Sequence, residues 1–293
     1  MRPSARLPLL VAVAFLVAAC SGGSGASAGQ SPEASTVDAS TAWLRATISQ
    51  AGSSVDRFAS GPTAVITADG TYVTAGPVDA GDPAPLLPTL VGRSLSDAGR
   101  AAIQAEAARL RLIGKKTDFK SVISLPGGAV GRLQLTVDGG PVTLTGEPDS
   151  KLLCIPSLCD PVPGTPEAFG ELWRKVADPV PWLGGELGPE SPFVPAAYAL
   201  LVGPAPAPDP DVDAAIADWP LPAPLATFGT PVAKGSQRCG IVSGADAEAL
   251  RPVLEQADQQ TTWVQDPSTS ATFEITVRPI IAGEDPCAET FGG

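Results

Sequence analysis

Proline and glycine set the first limit on what this chain can build. Proline has no backbone donor and locks φ, and glycine weakens any helix or strand it interrupts. The chain holds 31 Gly and 32 Pro, 63 of 293 residues or about 22%, roughly twice ordinary usage. Elements must therefore be short and the loops long. Hydrophobic residues at 44% still suffice for a core, but only 5% are aromatic. That core must rest on Val, Leu, Ile and Ala. The length suggests one or two domains.

Several chemistries are excluded outright. The chain contains no histidine, so imidazole-based triads, helical His-Glu-x-x-His zinc sites and histidine-ligated haem cannot be built. Ser-x-x-Lys and phosphate-loop signatures do not occur, and the glycine-rich tract at 22–29 follows no strand. No cofactor, metal site or catalytic residue is indicated. A carboxylate pair could hydrolyse glycosides without histidine. With 31 acids chance supplies such pairs, so a carboxylate-dependent hydrolase stands only as the alternative function. The net charge of −12 disfavours nucleic acid, whose phosphates are met by Lys and Arg.

Residues 1–20 carry Arg2 and Arg6, an apolar run from Leu7 to Ala19, then Cys20. A basic start and about a dozen apolar residues make a signal peptide, too short to span a bilayer. Val17-Ala18-Ala19-Cys20 resembles the bacterial lipobox. The resemblance implies cleavage before Cys20, a diacylglyceryl group on its thiol, and an extracytoplasmic, membrane-anchored protein. Loss of Arg2 and Arg6 leaves 17 basic residues against 31 acids, −14, so acyl chains rather than charge must hold the membrane. Residues 20–42, rich in Ser, Gly and Ala, read as a flexible tether.

Four cysteines remain: Cys154, Cys159, Cys239 and Cys287. An even number in an exported chain indicates disulfides, and four allow three pairings. Cys154–Cys159 and Cys239–Cys287 are favoured. The first closes a tight loop, and the second ties a strand to the C-terminal segment. Cys-x-x-Cys spacing is absent, which argues against redox catalysis.

The body reads as α+β: antiparallel hairpins and sheet with packed helices, in two similar-sized halves, 43–203 and 211–293, that can pack as one. Residues 63–67 and 71–74 flank the turn signal Asp69-Gly70. A helix over 97–113 carries Ile103, Ala107 and Leu110 on one stripe. Leu133, Leu135 and Val137 alternate up to Asp138-Gly139-Gly140, and Val142 and Leu144 continue. Thr165-Pro166-Glu167 opens a helix with Phe169, Leu172, Trp173 and Val176 inward and a Glu171–Lys175 pair outward. Residues 198–202 read as a buried strand, 204–210 as a linker, and 211–231 as largely irregular. Residues 238–242 form a strand, 245–262 a helix with Leu250, Leu254 and Ala257 inward, and 272–280 a strand with alternating faces.

Trp219-Pro220-Leu221, residues 224–229, Arg238-Cys239-Gly240-Ile241-Val242, Val277-Arg278-Pro279 and Cys287 resemble a group of secreted lipoproteins from high-GC Gram-positive and related bacteria. The resemblance covers about 75 residues. It implies location and fold integrity, and no activity comes with it. Asp209-Pro210-Asp211-Val212-Asp213 looks like the start of a calcium loop, but Ala214 and Pro220 stand where Gly and Glu belong. An acidic helix start accounts for it better. Trp43, Trp173, Trp182, Trp219 and Trp263 are scattered. Trp182 and Trp219, in Pro-rich loops, are the candidate ligand surface. The function expected is a non-catalytic binding or cell-envelope accessory module with an envelope glycan or protein partner. The remaining alternative is an inert spacer.

Overall fold

The computed structural model describes residues 42–49, 52–77, 83–120, 129–150, 161–207, 214–232, 235–265 and 271–291. The lipobox with Cys20, the tether, the Cys154–Cys159 loop and the acidic run 209–213 lie outside them. Residues 37–293 form one unit, and the fold is α+β.

The chain opens with β1 (Ala42–Ser49) and α1 (Ser54–Ala59), then β2 (Ala64–Thr67), β3 (Thr71–Ala75) and β4 (Leu90–Ser94). Next come α2 (Asp97–Arg109), β5 (Asp118–Phe119), β6 (Val130–Val137), β7 (Gly140–Gly146), α3 (Pro166–Ala177), α4 (Val180–Leu183) and β8 (Ser191–Pro192). Among the described residues the first sheet runs β5-β7-β6-β1-β2-β3-β4-β8. It is antiparallel except for the β5–β7 pair.

The β6–β7 turn follows its sequence signal. Asp138 and Gly139 take φ of 50° and 77°, which suits a type I′ turn between Val137 and Gly140, the last pair of the ladder. The β2–β3 connection is longer than Asp69-Gly70 alone would give. Pairing stops at Ile66–Tyr72, because the Thr67 hydroxyl accepts from Thr71 N–H at 3.0 Å and donates to Asp69. Helix α2 starts where Ser96 Oγ accepts from Gly99 N–H. It stops at Arg109, short of 113, because Arg111 turns to φ 50°. Ile103, Ala107 and Leu110 are all buried against the sheet. Thr165 caps α3, whose Phe169, Leu172, Trp173 and Val176 complete the same core with Leu44, Ala46, Ile66, Leu133 and Leu144.

The second sheet contains β9 (Ala197–Pro204), β10 (Ile216–Asp218), β11 (Thr230–Pro231), β12 (Arg238–Ser243), β13 (Thr262–Val264) and β14 (Thr272–Ile280), ordered β10-β13-β14-β9-β12-β11. Strand β9 lies between β14 and β12, so the change of sheet falls before Ala197 rather than between 203 and 211. The β10–β13 pair is parallel. Helix α5 (Gly244–Gln256) ends six residues before 262. It contains Pro252, and Ala257 leaves the helix in extended backbone. Helix α5 packs Leu250 and Leu254 with Tyr198, Leu200, Val202, Ile275 and Val277 on one face of the sheet. On the other face Ala199, Leu201 and Cys239 meet Phe58 of α1 and Phe291 of α6 (Pro286–Phe291). The Cys239–Cys287 disulfide fastens α6 to β12. Gly229 bends the chain beside β12 at φ 59°. A Cβ there would sit 2.2 Å from the Cys239 carbonyl oxygen, so no larger residue fits.

The two sheets meet through small apolar contacts and a buried ionic cluster. Val65 and Val73 pack on Ile281 and Ala282. Arg45 of β1 donates to Ala282 O at 2.8 Å and lies 3.4 Å from Glu289. Arg278, 4% exposed, pairs with Glu284, also 4% exposed. Glu284 Oε1 also accepts from Ile281 N–H at 3.2 Å.

Candidate functional site

A cleft of about 460 Å³ opens beside β14, within the range of about 300–1,000 Å³ usual for ligand sites. One wall is Ile275, Thr276 and Val277 of β14. Val55 and Ala59 of α1 form a second, and Pro77 with the loop 84–89 a third. Among the described residues, Val, Ala, Gly, Pro, Leu, Ile, Thr and Gln make up the lining. The polar side chains are Thr89, Gln259 and Thr276.

The sheet itself creates this opening. Strand β13 has three residues and β14 nine. They pair only at Trp263–Phe273 and Val264–Thr272, after which no described strand pairs with β14 on that side. Beyond the pairing, the chain at 257–259 turns to meet the Pro-rich loop instead. Leu86 N–H donates to Ala257 O at 3.0 Å and Gln259 N–H to Ala84 O at 2.9 Å. These two bonds hold the loop as the opposite wall.

Two other bonds fix which β14 groups face the cleft. Ala205 N–H donates to Thr272 O at 3.0 Å. In an antiparallel ladder the bonding direction alternates, so even-numbered residues of β14 bond to β9. Trp219 N–H donates to Val264 O at 2.7 Å, which turns Val264 toward β10 and leaves Trp263 to bond Phe273. Odd-numbered residues thus aim away from β9. Phe273 is met by β13, Pro279 has no N–H, and Ile281 N–H is taken by Glu284. Ile275 and Val277 remain, with N–H and C=O aimed along the open side.

Among the described residues, the displaced carboxylates stand on ion pairs or caps and not in the cleft. Arg109 Nε and Nη2 each donate to Glu106 at 2.8 Å, and Lys175 Nζ of α3 lies 2.6 Å away. The Arg109 bonds above all lower Glu106 to about 2. Burial pushes Glu171 up, but its bonds to Arg174 and Lys175 outweigh this and the net shift is downward. Asp56 is lowered by the Ser53 hydroxyl in the capping box of α1. A glycoside-cleaving pair needs one carboxylic acid raised instead.

The two tryptophans singled out by sequence are not brought together, and Trp219 is corrected to a core residue. It is 6% exposed, stands edge-on to Trp263 and Phe228, and donates Nε1–H to Ala223 O at 2.8 Å. Its loop lies over the sheet, and the indole packs in the same core as Leu221, Leu225, Phe228 and Trp263. Trp182 is half-buried, donates to Lys175 O at 2.7 Å, and has the Lys175 ammonium 5.5 Å from its ring centroid. Trp43 and Trp173 pack in the first core, and Trp263 is fully buried. The spacing Gly25-Ala26-Ser27-Ala28-Gly29 has the form of a hydrolase elbow but lies outside the described residues. No known protein family, curated protein or solved structure matches this chain.

Proposed function

We propose that the protein is a lipid-anchored, extracytoplasmic binding module of the cell envelope. The reading combines three supports. The lipobox-like Val17-Ala18-Ala19-Cys20 argues for an acyl anchor, and two acyl chains suffice for stable membrane attachment. The cleft carries the binding half. It offers an apolar lining with two outward-facing backbone positions and a few hydroxyl and amide groups, the usual make-up of a site that holds a ligand by shape and a small number of hydrogen bonds. A disulfide at Cys239–Cys287 suits an oxidising compartment.

The anchor is tested by replacing Cys20→Ser in an exporting host. Acyl labelling and membrane retention should both be lost. Unchanged labelling and fractionation of the variant would refute the anchor. Binding is tested by adding cell-envelope fragments to the purified protein, since a ligand raises the unfolding midpoint by mass action.

A further inference from the structure

Resting on that binding reading, we propose that the ligand of the cleft is an extended peptide, bound as an added strand along the open side of β14. The argument begins with how this fold treats its strand edges. An exposed edge is a row of unpaired donors and acceptors, and proteins shorten or block edges to avoid unwanted pairing. Both sheets do so at their ends. Among the described strands the terminal ones are β5, β8, β10 and β11, of two or three residues. β14 is nine residues long and is left open within its sheet, not at its end.

The opening has defined limits. Trp263 closes it at Phe273, and Pro279 and the Glu284 carboxylate close it at the other end. Proline without a partner strand is the residue expected where an N–H would face an open edge. Between these stops, Ile275 and Val277 present two N–H and two C=O groups into a cleft whose described lining is mostly aliphatic and proline side chains, with Thr89, Gln259 and Thr276 as its polar side chains. Residues two apart on a strand stand about 6.8 Å from one another. An extended peptide carries its own donors and acceptors at that repeat, so it can answer both residues at once. Its alternate side chains would fall toward α1 on one side and toward Pro77 and Pro85 on the other. Pro77, Pro85 and Pro88 offer no N–H that competes for the ligand's carbonyls. Main-chain pairing would supply affinity and the flanking walls the side-chain preference. Because the described residues of the lining carry no charge, the preferred segment is uncharged over the residues it inserts.

The test uses the full-length protein, purified in detergent from an exporting host. The first probe is a displayed library of random decapeptides. Enriched peptides should be uncharged at their centre and, when added, should slow amide exchange at Ile275 and Val277 while Thr276 is unchanged. Val277→Pro removes one edge donor without touching the bonds to β9 and should weaken binding by about tenfold. Because that change also trims the core, an amide-to-ester replacement at Val277 is the second variant. It keeps the side chain and should show the same loss. Equal binding by the ester variant, or enriched peptides that leave both amides unprotected, overturns the proposal. The second probe is peptidoglycan glycan strand freed of peptide. A glycan response at the cleft with no peptide response overturns the peptide proposal and leaves the binding module standing. No response at the cleft to either probe overturns both.

Discussion

Removing the Cys239–Cys287 bond should cost the protein about 4 kcal/mol. The bond joins β12 to α6 across 48 residues of sequence. Closing a loop of that size removes about 14 cal/mol/K of chain entropy from the unfolded state, or about 4 kcal/mol at room temperature. Native contacts should survive the change. Cys239 is 3% exposed among Ala199, Leu201 and Phe58, and Phe291 still stacks on Phe58 with ring centroids 6.0 Å apart. For a body of this size about 4 kcal/mol lowers the midpoint by about 8–16 °C. Scanning calorimetry of the wild type and of C239A/C287A reads it directly. The variant should unfold at the lower temperature with similar far-ultraviolet dichroism beforehand. A fall under about 3 °C, or an equal fall in wild-type protein reduced and then re-oxidised to re-form the bond, would refute the loop-closure reasoning.

Acid should weaken the α2–α3 contact. Glu106 is lowered from 4.5 to about 2, so its contribution is complete above about pH 4.5 and is lost as pH falls toward 2. The full shift corresponds to about 3 kcal/mol, and the half-exposed Arg109 reduces this to about 1–2. Urea unfolding of Glu106→Gln should show that deficit at pH 7 and almost none near pH 2. The buried pair predicts a sharper effect: Arg278→Met leaves Glu284 unpaired in the interior and should cost about 3–5 kcal/mol, whereas R278M/E284M should recover most of it. A double-mutant cycle by denaturant unfolding checks that contrast.

How much could be read in advance follows the range of each signal. Elements marked by local chemistry were legible. Examples are the Asp138-Gly139 turn, the Thr165-Pro166 start of α3 and the alternating strand at 272–280. Strand β1 and helix α1 escaped notice, although Leu44 and Ala46 alternate and Ser53 with Asp56 forms a capping box. Both follow a long polar stretch, and β1 becomes central only through pairing with β2 and β6, which is nonlocal. Arg111, at positive φ, and Ala257, in extended backbone, end two helices that apolar periodicity alone extends. Composition suggested that Trp219 in a Pro-rich loop was a surface residue, but only tertiary folding shows that loop closing on Trp263. The cleft was least legible because it arises from a length mismatch between β13 and β14. Pro279 is its one sequence mark, a proline inside a strand, which signals an edge.

Amide hydrogen exchange along β14 in the ligand-free protein tests the central claim most directly. Thr276 bonds to β9 and should exchange slowly, whereas Ile275 and Val277 face the cleft and should exchange at least about a hundredfold faster. An alternating pattern over 274–278 supports the open strand edge. Uniform protection across those residues would mean that another group already covers the edge, and the cleft would no longer be a site for a strand.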